Sequence, residues 1–224
     1  MNAAFPREPG AFDREQPERP LLRGMLHGAM AVAAPFLFVA LLLAADSARD
    51  YVAVTIFAAA MMLVYTASAS YHLAPWPPRL RRIMTRVDHA MIFVLIAGSY
   101  TPFCLTVVGD AWGIPMLSIV WTLAVLGVLM KLLWVGVPRW LSVSCYIGLG
   151  WLAVVAAPAI TASLSAQGVA LLAGGGALYT IGGIVYGLRQ PDPLPRIFGF
   201  HEVFHVLMVA GTALHVTAVA LYVL

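Results

Sequence analysis

The chain has 224 residues, of which 62% are hydrophobic and 10% are charged, and its formal net charge is +3. An average soluble protein carries about 25% charged residues, so this composition excludes a water-soluble globular domain. The mean hydropathy of +0.89 predicts a protein embedded in a lipid bilayer. The positive charges lie in short connections between apolar stretches, so they indicate membrane topology rather than nucleic-acid binding.

The first 24 residues are rich in proline and charge, as in PREPG and DREQPERP. Such a segment cannot bury enough apolar surface to fold by itself. We therefore predict a short disordered cytoplasmic tail over residues 1–24. The remainder, residues 25–224, is predicted to form one membrane domain with almost nothing left for a soluble domain.

Seven apolar stretches follow the tail, and each is long enough to cross a bilayer at about 20 residues per span. They predict an all-α integral membrane protein, a bundle of seven transmembrane helices. The predicted spans cover residues 25–45, 51–73, 88–108, 112–134, 140–160, 168–188 and 201–224.

The basic residues predict the orientation of this bundle. Connections one, three and five hold only Arg49, whereas the other basic residues precede the first span or lie at the remaining connections. Cytoplasmic connections carry the excess of Lys and Arg, so the amino terminus is predicted inside and the carboxyl terminus outside. The residues assigned to the inside are Arg19, Arg23, Arg79, Arg81, Arg82, Arg86, Lys131, Arg139, Arg189 and Arg196.

The second span ends with Ser68 and His72, which lie one helical turn apart on one face. Three prolines in the next residues stop the helix, and Asp88 then opens the third span. A hydroxyl beside a metal ligand can hold a water at the metal, and a carboxylate can take a proton from that water or orient it. Ser68 and Asp88 are therefore candidate catalytic residues.

The seventh span opens with His201 and His205, whose four-residue spacing presents two imidazoles on one face. His72 would add a third imidazole and complete a zinc site with one open position, the arrangement of catalytic zinc. On the predicted orientation, all three lie in the cytoplasmic half of the membrane. Ionisable groups in spans are costly and usually face the bundle interior, which favours a joint site.

Each residue also has a simpler interpretation. A single His at a helix end is commonly an interfacial residue that binds water or a headgroup. Asp88 can cap its helix or pair with the neighbouring arginines, and Ser68 can hydrogen-bond to its own helix.

Three further ionisable residues lie near these spans. His27 is near the inner end of the first span, where we favour an interfacial role and leave a fourth metal ligand open. Glu202 points about 100° away from its neighbour His201, so we predict that it is solvated, with a supporting role as the alternative. His215 lies about 15 Å along the axis from His205, too far for the same metal, and is predicted to be buried and hydrogen-bonded.

Residues 68–102, SASYHLAPWPPRLRRIMTRVDHAMIFVLIAGSYTP, and residues 201–215, HEVFHVLMVAGTALH, resemble the hemolysin III branch of the progestin and adiponectin receptor family. The HG pair at positions 27 and 28 also fits that branch. The resemblance implies a seven-span fold, with zinc bound by His72, His201 and His205 and with Ser68 and Asp88 near the water at the zinc.

For the receptor branch, the resemblance further implies hydrolysis of the amide of ceramide-like lipids. For the bacterial branch it implies haemolysis or membrane lipid homeostasis. The chain departs from the receptor branch at His89 and has almost no folded region before its first span, so we do not expect a hormone receptor.

The predicted function is zinc-assisted hydrolysis of an amide or ester in a membrane lipid, at the plasma membrane of the cell. Asp88 would accept the proton and Ser68 would hold the water. A lipid is the expected partner, with no nucleic acid. One alternative is a non-enzymatic regulator or sensor of membrane lipid state with a structural zinc. A lytic or pore protein is the other, although a pore should show a polar stripe through several spans.

Overall fold

The computed structural model of the protein describes residues 20–224, and that part of the chain is almost entirely helical. This architecture confirms the prediction of an all-α integral membrane protein. The helices are α1 (Met25–Ala44), α2 (Ala48–Leu73), α3 (Pro78–Pro102), α4 (Asp110–Leu133), α5 (Arg139–Trp151), α6 (Ala157–Ser163), α7 (Ala166–Leu188) and α8 (Phe200–Tyr222).

Within the described residues, six helices are long and apolar enough to cross a membrane by themselves. The predicted fifth span is instead broken, since α5 passes through a 3₁₀ turn at Leu152–Val154 and then bends by 53° into α6. Pro158 stands at the start of α6, where the missing N–H of proline is tolerated but would interrupt a continuous helix. Counting the bent pair as one span gives up to seven spans.

The third span starts earlier than the predicted residue 88. Pro78 occupies the first turn of α3, a position that proline favours, and arginines fill the turns that follow. A search for apolar stretches misses these charged turns because they extend beyond the hydrophobic part of the span. At its other end, α3 reaches Pro102 and continues as a π-helical turn over Phe103–Val107.

Helix α2 lies at the centre of the bundle, packed between α1 and α3. Its side chains Phe57, Met61 and Tyr65 are fully buried. Close approach to α3 depends on Gly98, because a Cβ atom there would lie 2.5 Å from the Cβ of Ala60. Helix α8 packs along α7 and also touches α1, so the start of α1, the end of α2 and the starts of α3 and α8 surround one region.

The predicted tail extends to residue 24, and residues 1–19 of it lie outside the described residues. Residues 20–24 form a turn ahead of α1. The backbone N–H of Leu21 donates to the carbonyl of Arg196 at 3.1 Å, and that of Leu22 donates to the carbonyl of Ile197 at 3.2 Å. This end of the segment is therefore packed against the connection between α7 and α8.

Candidate metal centre

The fold brings together the three predicted histidine ligands. His72 ends α2, while His201 and His205 occupy the first turns of α8. All three are buried, and one nitrogen from each ring lies within 4.8 Å of the other two. The Nε2 atoms of His72 and His201 are 3.1 Å apart.

This geometry fits a single metal ion. A tetrahedral zinc with Zn–N bonds of about 2.0–2.1 Å places its ligand nitrogens roughly 3.3 Å apart, close to the His72–His201 separation. The three ring planes cross at 64° to 76°, so their in-plane lone pairs can converge on one point. Three neutral imidazoles suit zinc, copper, iron or nickel, so the donor set alone does not identify the metal.

Ser68 and Asp88 lie beside this triad, and both are buried. An Asp88 carboxylate oxygen is 4.0 Å from Nε2 of His72. Ser68, Asp88, His201 and His205 line a small cavity of about 20 Å³. One water molecule needs about 10–15 Å³, so the cavity has room for a water between the histidines and the carboxylate.

His27 differs from the favoured prediction of an interfacial residue, because it is only 3% exposed. Its Nδ1 atom is 2.8 Å from Oγ of Ser68, and its ring stacks on His205 with the centroids 3.6 Å apart. Position near a helix end suggested the interface, but the ring faces Ser68 and Tyr65 on α2 and His205 on α8. These residues are far from His27 in sequence, so no local pattern indicated the contacts.

Glu202 also corrects a prediction, since it is 4% exposed rather than solvated. Its carboxylate pairs with Nε of Arg23 and accepts a hydrogen bond of 2.8 Å from the backbone N–H of Gly199. The second contact completes the start of α8. Glu202 thus ties the segment before α1 to the helix that carries His201 and His205.

Sequence reasoning missed a group of aromatic and basic side chains next to Asp88. The hydroxyl of Tyr186, on α7, is 3.1 Å from Nε2 of His89, and the hydroxyl of Tyr146 donates to the carbonyl of His89 at 2.8 Å. The guanidinium of Arg139 lies 5.1 Å from the centroid of the Tyr186 ring. These residues are far apart in sequence and carry no common motif.

His215 lies apart from the metal centre, as predicted. Its Nε2 atom is 3.2 Å from the carbonyl of Leu172 on α7, and its ring meets the Tyr179 ring edge-on. The residue is 5% exposed, so its position is buried within the bundle.

A second, larger cavity of about 280 Å³ adjoins the small one beside the histidines. Its walls are mainly apolar side chains from α3, α5, α6, α7 and α8. Trp151 and Val154 belong to these walls and are more than half exposed, so the cavity reaches the outer surface of the helices. Four side chains border both cavities: Ile92, Tyr186, Phe204 and Met208.

The helices and the buried histidine cluster define the class: a multi-pass plasma membrane protein with a potential metal site at one end of its bundle. Comparison with known proteins gives the family. The chain matches the haemolysin-III-related family over residues 15–216, and it belongs to that family. This result confirms the resemblance found in the sequence.

Two relatives support the assignment. The chain is 35% identical to Hemolysin-3 of Bacillus cereus over 178 residues, which cover 80% of this chain and 78% of the relative. It is 37% identical to a Hemolysin-3 homolog of Bacillus subtilis (strain 168) over 167 residues, 75% of each chain.

Proposed function

We propose that the protein is a zinc-dependent intramembrane hydrolase that cleaves an amide or ester bond in an amphipathic membrane lipid. The observation that carries this proposal is the contact between the two cavities. A small chamber, lined by Asp88 and by imidazoles that include His201 and His205, shares walls with an apolar chamber about 280 Å³ in volume. Ligand sites have this composition, mostly apolar with a few convergent polar groups.

The apolar chamber would take the acyl chain. Its exposed wall residues Trp151 and Val154 lie where a lipid tail in the bilayer can slide between α5 and α7. Burying the tail is favourable by about 0.8 kcal/mol per methylene relative to water, although a tail already in the bilayer gains less. The chamber would therefore fix the position of the acyl chain. The wall that it shares with the small cavity would bring the polar end of the lipid next to Asp88.

His72, His201 and His205 would hold the metal. When bound, zinc polarises a carbonyl and lowers the pKa of an associated water towards about 7. Asp88 accepts the proton that the attacking water loses and returns it to the leaving amine or alcohol. Ser68 holds the water in line through its hydroxyl oxygen.

The test is a measurement of lipid hydrolysis. Purified protein in bilayers, loaded with zinc, is incubated with a panel of amide and ester lipids, and released fatty acid is measured by mass spectrometry. Asp88→Asn keeps the size of the side chain and removes its charge, so it should retain zinc and lose hydrolysis by about 100-fold or more. Ser68→Ala should lose less, because one hydrogen bond contributes about 0.5–1.5 kcal/mol.

A second candidate is a regulator of membrane lipid state in which the metal is structural. The observation in its favour is that the triad joins α2 to α8, two helices that are far apart in sequence. For this function, zinc-loaded wild type would release no fatty acid from any lipid of the panel. Asp88→Asn would then still change the membrane phenotype of cells, a result that would displace the hydrolase proposal.

A further inference from the structure

The hydroxyl of Ser68 lies beside His27 and lines one cavity together with Asp88. A serine hydroxyl donates one hydrogen bond and accepts two. The Nδ1 atom of His27 is 2.8 Å from Oγ of Ser68. Because Nε2 of the same ring is buried without a partner, we assign the ring proton to Nδ1, which donates to Oγ and leaves the hydroxyl proton of Ser68 for another acceptor.

This assignment places the proton of His27 on Nδ1 and leaves Nε2 as an acceptor. Among the described residues, Nε2 of His27 is one of the buried side-chain atoms without a hydrogen-bond partner. A buried acceptor without a partner is better tolerated than a buried N–H without one, which is the reason for this tautomer. Oγ of Ser68 keeps one free lone pair, and both His27 and Ser68 line the cavity of about 20 Å³.

The ring geometry also excludes His27 as a fourth ligand of the triad's metal. An imidazole nitrogen directs its lone pair in the plane of the ring, so a metal lies close to the plane of every ring that binds it. The rings of His27 and His205 are nearly parallel, at 11°, with centroids 3.6 Å apart. One ion cannot lie in both planes, whereas the three triad planes cross steeply.

We propose that His27 is a positioning residue: its Nδ1–H holds the Ser68 hydroxyl with its proton available to Asp88 and its free lone pair towards the water cavity. This inference rests on the proposed function, because the water to be held is the one that attacks the lipid. It assigns the first helix a part in a site whose other members come from α2, α3 and α8.

Two substitutions test the roles of the two ring nitrogens of His27 separately. The amide of His27→Asn can reach the position of Nδ1 and replace its hydrogen bond, whereas the longer side chain of His27→Gln reaches the position of Nε2. Protein loaded with cobalt(II) has a visible spectrum whose pH midpoint follows the ionisation of water at the metal. We expect every variant to bind the same amount of metal as wild type.

The midpoint of His27→Asn should match wild type. That of His27→Gln should move in the same direction as that of Ser68→Ala, by about one pH unit, the equivalent of one hydrogen bond. A wild-type midpoint in His27→Gln would overturn the proposal. Loss of metal from both His27 variants would make His27 a ligand and would also overturn it.

A double mutant distinguishes loss of the contact between His27 and Ser68 from general damage to the fold. If His27 acts only through Ser68, His27→Gln should cause no further shift in a Ser68→Ala background, because the contact is already lost. Additive shifts would contradict the inference while leaving the proposed hydrolase intact. Failure of the wild type to bind any metal would contradict the proposed function itself, and the inference would fall with it.

Discussion

Gly24 shows how closely the segment before α1 is fitted to the metal centre. Its φ angle is +80°, and a Cβ atom there would lie 2.4 Å from the Cβ of His72. Gly24→Ala should therefore push His72 away from the other two imidazoles and lower zinc affinity. The measurement is zinc binding by competition with a chelator of known affinity.

Gly109 provides the matched control for that substitution. Alanine is strained at its φ of 72° and ψ of 157°, by about 1–3 kcal/mol, yet a Cβ atom there would meet nothing within 4 Å. Gly109→Ala should therefore be destabilised with unchanged zinc affinity. Equal affinities for the two variants would mean that contact with His72 does not matter.

For single residues, the sequence predicted the site residues that are close together on one helix. Four-residue spacing on one helix marked His201 with His205 and Ser68 with His72, and the fold places these pairs together. It could not predict that Glu202 is buried, because its partner Arg23 lies 179 positions away. Burial of a charge depends on such partners, and no pattern within one helix shows them.

Among the elements, the start of α8 depends on the ion pair between Arg23 and Glu202. Their side chains are 21% and 4% exposed. Arg23→Gln leaves a buried carboxylate without its partner, which should cost about 2–3 kcal/mol, less than a fully buried pair because Arg23 is partly exposed. We expect a clearly lower thermal unfolding midpoint in detergent.

The ion pair between Arg49 and Asp110 is the natural comparison, since both side chains are 60% exposed. Solvent screening makes such a pair weak, so Arg49→Gln should leave the unfolding midpoint essentially unchanged. If both substitutions lower the midpoint equally, burial of Glu202 is not the cause of the effect.

The apolar chamber between α3, α5 and α7 provides a test of lipid binding. Gly176 lines it, and a Cβ atom there would meet nothing within 4 Å, so the side chain of Gly176→Phe starts in open space. A ring in this position should reduce hydrolysis at low lipid concentration, because it takes the space that the acyl chain would occupy. Zinc content should stay the same.

Gly148 on α5 is the control for this variant. It is exposed, and a Cβ atom there also meets nothing within 4 Å. Gly148→Phe should keep wild-type hydrolysis, since its side chain lies outside the chamber. A similar loss in both variants would point to a general effect of bulk on the bundle.

For the whole molecule, hydropathy predicted the class of fold because every helix that spans a bilayer needs about 20 mostly apolar residues. Hydropathy predicted poorly where a helix is broken or extends beyond its apolar stretch. The break between α5 and α6 and the charged first turns of α3 are both set by packing and by local backbone geometry. The position of the apolar chamber depends on that break, so it could not be predicted from span lengths.

The orientation of the bundle remains a prediction, based on the basic residues of the connections. Reporter fusions at Arg82 and at Leu224 should lie on opposite sides of the membrane, with Arg82 in the cytoplasm. Fusions that report the same side would contradict the orientation and the assignment of the metal centre to the inner half.

The most direct test of the account is the metal content of the purified protein, because the proposed hydrolysis depends on one ion held by three imidazoles. Elemental analysis should find about one zinc per chain in wild type. It should find almost none after His201→Ala and His205→Ala are combined, together with a lower unfolding midpoint, since metal binding stabilises the folded state. His215→Ala should keep its zinc. Full zinc occupancy in the combined variant would contradict the assignment of this site.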